Sequence, residues 1–139
     1  MNQTQTTNTD DIRRAFKTLA TDAADRIVRK GVNAGGDEVL LAAQIEVPVD
    51  EGDLEESLGK KTKVYKDTGT GVSVIGSRRG GDFKGYHHHL VHNGHIAADG
   101  SFVPGNPYLK RARDRADSRA KAAMASTVNA ELQKEAARA

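Results

Sequence analysis

Five histidines, His87, His88, His89, His92 and His95, crowd into nine positions of the chain and are its most obvious candidates for chemistry. Imidazole is the commonest metal ligand and titrates near neutrality, so such a cluster could bind zinc or iron or move protons. The segment Tyr86 to Val91 reads as an extended strand. On a strand, His87 and His89 share one face while His88 points to the other, and His92 and His95 lie beyond it. A metal centre also needs an acceptor behind its ligands, and the nearest acid downstream is Asp99. The expectation is therefore no metal ligand and no cofactor. These side chains are instead expected to make polar contacts at a sheet edge or subunit seam. A metalloenzyme built on His87 and His89 is the rival they would support.

Other catalytic patterns fail for specific reasons. His88, His89 and Asn106 could stand for the opening residues of a histidine-and-asparagine nuclease, but no histidine follows His95 to complete its metal site. Leu58 to Thr62 reads Leu-Gly-Lys-Lys-Thr, yet the earlier glycine of a phosphate loop is missing. Gly69 and Gly71 do not extend to a dinucleotide fingerprint, because Val74 occupies the place of its third glycine. No serine, histidine and acid triad follows from spacing. The reading is a non-enzyme.

Charge is distributed unevenly around a formal net of +2. Asp37, Glu38, Glu46, Asp50, Glu51, Asp53, Glu55 and Glu56 fall in one stretch without a lysine or arginine. Lys110, Arg111, Arg113, Arg115, Arg119 and Lys121 crowd another, and Arg78 and Arg79 sit in a glycine-rich loop. The two faces could pair within one molecule. They could also join copies head to tail, acidic patch on basic helix, in a contact able to close into a ring. Arg78, Arg79 and the basic helix could touch phosphates, but no aromatic residues are interleaved for base stacking, so any DNA contact would be non-specific. A small DNA-binding protein using that helix is the second rival.

The elements that must position these groups follow from periodicity. Thr9 caps a first helix carrying Asp10 and Asp11 at its positive end, and Ile12, Phe16, Leu19, Ala23 and Ile27 form its apolar stripe before Gly31 stops it near Lys30. After a turn at Asn33 to Gly36, Val39, Leu40, Ala43 and Ile45 predict a second helix that breaks at Val47, ahead of Pro48. Asp53 reads as the N-cap of one short turn bearing Leu54 and Leu58, with Glu56 in the capping-box position. Lys60 to Tyr65 and Val72 to Ile75 alternate as a hairpin around Asp67 to Gly71. Arg78 to Gly85 and Gly94 to Asn106 read as loops that order on contact with adjoining proteins. Pro107 opens a last helix capped by Asn106, reaching Lys134, with a stripe of Leu109, Ala112, Ala116, Ala120, Met124, Val128 and Leu132.

This pattern predicts one α+β domain over residues 9–139: a small antiparallel β-sheet packed with an N-terminal amphipathic helix and a long C-terminal helix, after a disordered tail at 1–8. The chain has no tryptophan and no cysteine, so the core must be lean and without disulfides. The start lacks a secretory pattern, and no run approaches the roughly 20 apolar residues of a membrane span. Synthesis in the cytosol and no membrane partner are the expectation.

Three segments, taken in order, resemble the phage tail-component family found in the neck of lambda-like long-tailed phages. Val47 to Leu58 carries Pro48, Asp50, Gly52, Leu54 and Ser57; Tyr86 to His95 carries the pair Leu90 and Val91 followed by Gly94; Pro104 to Ala112 carries Pro107, Tyr108 and Leu109. The chain departs from the family pattern at His92, where an acid is common, and in the bulky His88 and His89. The resemblance covers residues 9–125. It implies a virion protein of the neck, active in tail completion or head-tail joining and made in the host cytoplasm. It also implies a ring of copies, six-fold by expectation, around a DNA channel between head-closure and tail-tube or tail-terminator proteins. Glu51, Asp53, Glu55, Glu56, Arg78, Arg79, Lys110, Arg111, Arg113, Arg115 and Arg119 are the candidates for its subunit contacts or channel lining.

Overall fold

The structure is a computed structural model that describes residues 21–49 and 52–138. The expected tail at 1–8, the helix start at Thr9 with Ile12, Phe16 and Leu19, and the acids Asp50 and Glu51 lie outside the described residues. The architecture is α+β, as expected. Helix α1 (Thr21–Glu46) leads through a corner to the short α2 (Asp53–Ser57). Strands β1 (Leu58–Tyr65) and β2 (Thr70–Ser77) follow, then β3 (Arg79–Gly80) and β4 (Phe83–Lys84). A single 3-10 turn (Gly85–His87) enters α3 (His88–Asn93). The chain then passes through β5 (Gly94–Ile96) and β6 (Phe102–Pro104) into the long α4 (Tyr108–Arg138).

One continuous α1 replaces the two helices expected. Each glycine inside a helix costs about 1 kcal/mol against alanine, which is why Gly31 and the run to Gly36 read as a stop and a turn. Tertiary packing overrides that cost. A Cβ on Gly31 would stand 2.7 Å from Val128 Cγ2, and one on Gly35 would stand 2.6 Å from Met124 Cγ. These positions are the floor on which α4 lies. Ion pairs along the seam fix its direction: Arg26 with Glu135, Lys30 with Glu131 at 3.2 Å, Glu38 with Arg119 at 3.9 Å and Glu46 with Arg115 at 2.7 Å. As numbers rise along α1 they fall along α4, so the helices run antiparallel.

The alanine stripe of α4 is buried as its spacing predicts. Ala112, Ala116 and Ala120 join Ala42, Ala43, Val47, Leu54, Leu58 and Tyr108 in the interior, with Ile75, Val91 and Leu109 packed on its rim. Each buried methyl contributes on the order of 0.8 kcal/mol, against roughly 1.5–3 kcal/mol for a buried leucine, so this core is as lean as the composition implies. Its seam is correspondingly intolerant of volume. Ala116→Leu is expected to lower stability by about 1–3 kcal/mol through overpacking, read as a drop in the urea midpoint, while the same change at exposed Ala122 moves it by less than about 0.5 kcal/mol.

Strands β1 and β2 form the expected antiparallel hairpin, with Lys60 opposite Ile75 and Thr62 opposite Ser73. The middle of the face it turns to α1 is polar. Ser73 donates to the Val32 carbonyl at 2.9 Å, Lys60 donates to the Asn33 carbonyl at 3.2 Å and pairs with Asp37, and Thr62 bonds to Asn33. Among the described residues, three two-stranded antiparallel pairs stand in place of one sheet. The segment expected to supply a third strand, Tyr86 to Val91, is instead the 3-10 turn and α3. A six-residue run cannot distinguish a period of two from one of 3.6, and here Val91 is drawn to the core while Leu90 is exposed. The expected loop at Gly94 to Asn106 is the β5–β6 hairpin, and the Arg78 to Gly85 loop holds the short β3–β4 pair.

Two capping expectations also change. Gly52, at φ 86°, is the N-cap of α2 and Asp53 is its first residue; the Gly52 carbonyl accepts from Glu56 N at 2.9 Å and no side chain caps the turn. Asn106 precedes α4, but its buried Oδ1 has no partner among the described residues. The contacts it makes are through its backbone, N to the Val91 carbonyl at 2.7 Å and O to Tyr108 N at 2.8 Å.

Candidate assembly surfaces

The Pro48 to Leu58 segment is a structural corner. Pro48 follows the end of α1, Gly52 supplies the reversal, and Leu54 and Leu58 are buried beneath it. Ser57 is fully buried and donates its hydroxyl to the Leu54 carbonyl at 2.7 Å. Ser57→Ala is expected to cost about 1 kcal/mol, seen as a lower thermal midpoint with an unchanged circular dichroism spectrum.

Arg78 locks the same corner from the other side. Its guanidinium donates to the carbonyls of Ser57 at 3.1 Å, Leu58 at 2.9 Å and Glu56 at 3.3 Å, and lies 3.7 Å from the centre of the Phe83 ring. These donors are therefore occupied by backbone of the same molecule. Arg79, next to it, is exposed beside a cleft of about 410 Å³ that also touches His88 and His89.

The histidines are arranged by a helix, and that changes which of them meet. His88 and His92, one turn apart, place their rings 5.5 Å apart on the same side of α3. Both stand edge-on to Tyr108, the first residue of α4, with centroids at 5.5 and 5.7 Å. Burial pushes the Tyr108 phenol up to about 12, so it stays protonated, and its hydroxyl shares a hydrogen bond of 2.5 Å with His88 Nδ1. His87 and His89 are exposed, and His95 lies 3.4 Å from the Leu90 carbonyl. No three histidine, aspartate or glutamate side chains converge on a metal-sized site among the described residues.

His88 is held below its ordinary pKa, first by burial and then by coulombic repulsion from His92, His89, Arg79 and His87. The folded chain keeps it neutral at a pH where the unfolded chain protonates it, so its contribution is complete above about pH 6.5 and is lost as pH falls below that. Thermal midpoints are expected to fall from about pH 7 to about pH 5.5. Replacing His88 with glutamine is expected to flatten that part of the profile. An unchanged slope in the variant would show that another group is responsible.

The basic helix is largely engaged within the molecule. Arg111 and Arg115 both grip Glu46, at 3.0 and 2.7 Å, and Arg119 reaches Glu38. Lys110 and Arg113 are exposed along a cleft of about 480 Å³. Asp53, Glu55 and Glu56 make no ion pair with any described residue. The acidic stretch thus divides: Glu38 and Glu46 are paired with α4 and Asp37 with Lys60 of β1, while Asp53, Glu55 and Glu56 pair with no described residue. Sequence reasoning did not separate the two halves. It also missed Tyr108 as the anchor of the histidines, although an aromatic beside the Pro107 helix start was its available signal.

Exposed apolar side chains complete the surface. Leu41, Ile45 and Val49 recur every four residues along the end of α1 and beyond it, and Ile96, Phe102 and Val103 project from the β5–β6 hairpin. No described helix is long and apolar enough to cross a membrane. Residues 10–94 match a family model described as "Bacteriophage HK97-gp10, putative tail-component". No curated protein and no solved structure gave a significant match. The matched span holds the Pro48 corner and the histidine helix up to Gly94, two of the three segments that carried the resemblance, and leaves Pro104 to Ala112 beyond its end. Such a family is one of structural phage proteins that work among other virion components. With the corner, the hairpin and α3 all inside a match that spans more than half of the chain, this protein belongs to the HK97-gp10-like tail-component family of bacteriophages.

Proposed function

We propose that the chain is a non-catalytic subunit of the phage neck, where head and tail join, and that copies of it form a ring, six-fold by expectation, around the DNA channel. In this reading it is made in the host cytoplasm and retained in the virion between head-closure proteins and the tail tube or its terminator. The observation that carries the reading is the exposed apolar surface of a lean, small subunit. Ile45 is 64% exposed, Ile96 66% and Phe102 65%, in separate places on the molecule. Single exposed apolar residues need no explanation, but recurring sets on a helix and a hairpin are what neighbours cover. A subunit of this kind also gains stability from its partners by mass action.

The engaged state of Arg111, Arg115 and Arg119 favours assembly over free DNA binding, because those guanidiniums already hold carboxylates. Lys110, exposed and in no ion pair with a described residue, is the cation of that helix best placed to line a channel, whereas Arg113 lies 3.5 Å from Asp114. The test is the mass of the purified protein by sedimentation and native mass spectrometry, together with its detection in purified particles. A discrete ring of 14.9 kDa subunits that is also present in virions supports the reading. A chain that stays monomeric at every concentration and is absent from mature particles overturns it.

A further inference from the structure

The outer face of the β1–β2 hairpin is unlike the rest of the surface. Along β1, Lys61 and Lys63 point outward, and across from them on β2 stand Val74 and Val72, with Val74 63% exposed. The next pair toward the α2 end is Gly59 opposite Gly76, which carries no side chains. A depression of about 400 Å³ lies there, lined by Gly59, Lys61, Val74, Gly76 and Arg78. A Cβ added to Gly76 would meet nothing within 4 Å. The result is a shallow notch with an apolar floor and a lysine rim, on a two-stranded sheet whose edges no other described strand covers.

Charge identifies what fits it. Among the described residues, Lys61 and Lys63 reach no carboxylate; Lys63 instead lies 4.9 Å from the centre of the Tyr65 ring. Asp53, Glu55 and Glu56 reach no described cation, and Arg78 spends its donors on the carbonyls of that corner rather than on its carboxylates. Among the described residues, the fold therefore leaves one acidic and one lysine-rimmed surface without an opposite charge, while Asp37, Glu38 and Glu46 and the arginines of α4 are paired.

We propose that the outer face of the β1–β2 hairpin receives the acidic α2 corner of a second copy of this chain. The inference rests on the assembly reading above and says which surfaces meet. It moves the head-to-tail contact away from the basic helix, where the sequence alone placed it, to Lys61 and Lys63. Because the two surfaces are different, the contact is heterologous, the type that generates rings or filaments. Val72 and Val74 supply the apolar area, and the charges set the orientation and reject a partner turned the other way.

Charge reversal tests it directly. Lys61→Glu with Lys63→Glu gives the chain two acidic surfaces, and Glu55→Lys with Glu56→Lys gives it two basic ones. Each double variant alone is expected to raise the self-dissociation constant about a hundredfold or more, since like charges across an interface cost several kcal/mol. Mixed in equal amounts the two are expected to assemble again, as is a single chain carrying all four changes. Sedimentation reads the masses, and circular dichroism checks that each variant is folded. A wild-type chain that never self-associates overturns the assembly reading and the inference with it. Wild-type assembly that survives both double variants, or no recovery in the mixture and the quadruple variant, overturns the inference alone. Unchanged mass with lost retention on duplex DNA would assign the lysine face to nucleic acid, and unchanged mass with a lowered thermal midpoint would assign it to a segment of the same chain; either result overturns the inference.

Discussion

Truncating Tyr108 to alanine is expected to destabilise the monomer by about 3–5 kcal/mol, a large part of the 5–15 kcal/mol typical of a domain. Among the described residues, Tyr108 is the largest fully buried side chain and the only buried aromatic ring, in a core otherwise made of alanines, a valine, leucines and Ile27. Its neighbours Ala42, Ala43 and Ala112 are too small to close over the space it leaves, so most of the cavity remains. The loss also removes the surface on which His88 and His92 rest, detaching α3 from the start of α4. Tyr108→Phe separates the two effects. It keeps the ring and deletes the hydrogen bond to His88, at an expected cost of about 1–2 kcal/mol. Urea unfolding of both variants measures the difference. A loss below about 1 kcal/mol for the alanine variant would mean that α3 and α4 are not held as described.

Replacing Gly94 with valine is expected to cost about 3 kcal/mol or more. Gly94 ends α3 and begins β5 at φ 83° and ψ 166°, a backbone region essentially confined to glycine. Space is also lacking, for an added Cβ would lie 2.7 Å from the Val103 carbonyl oxygen and 2.8 Å from Gly105 N, both backbone atoms that cannot swing aside. Strain and clash act together on the β5–β6 hairpin, so the first consequence is loss of that hairpin and of its exposed Phe102. Faster hydrogen exchange across residues 94–104, with α1 still protected, is the expected signature. Gly76→Ala is the control. It has open space and is expected to move stability by less than about 0.5 kcal/mol.

The correct parts of the sequence reading are those where one local rule acts without competition. Pro48 ends α1 at Glu46 because the residue before a proline resists helical angles, whatever packs nearby. The β1–β2 hairpin follows from two alternating runs, Lys60 to Tyr65 and Val72 to Ile75, joined by the turn residues of Asp67 to Gly71, so that the turn supports the period. The α4 stripe of Ala112, Ala116 and Ala120 is legible because 31 residues of helix repeat one spacing many times. The errors fall where a local preference is outweighed. Gly31 and Gly35 look like helix stops until α4 is seen lying on them. His88 to Asn93 is too short for periodicity to decide, and the stop signal at Gly94 was assigned to a loop instead of to the helix it terminates.

By itself, then, the sequence determined the α+β class, the corner at Pro48, the long last helix, the lean core and membership in a phage family. All of these depend on the order of residue types along the chain. Only the tertiary structure decided which charges are spent and which remain. Whether Glu46 faces Arg111 or solvent, and whether Lys61 finds a carboxylate, depends on distances between residues far apart in the chain. Coulombic attraction falls with separation and is screened by water and salt, so a charge pattern acquires meaning once packing has set those distances.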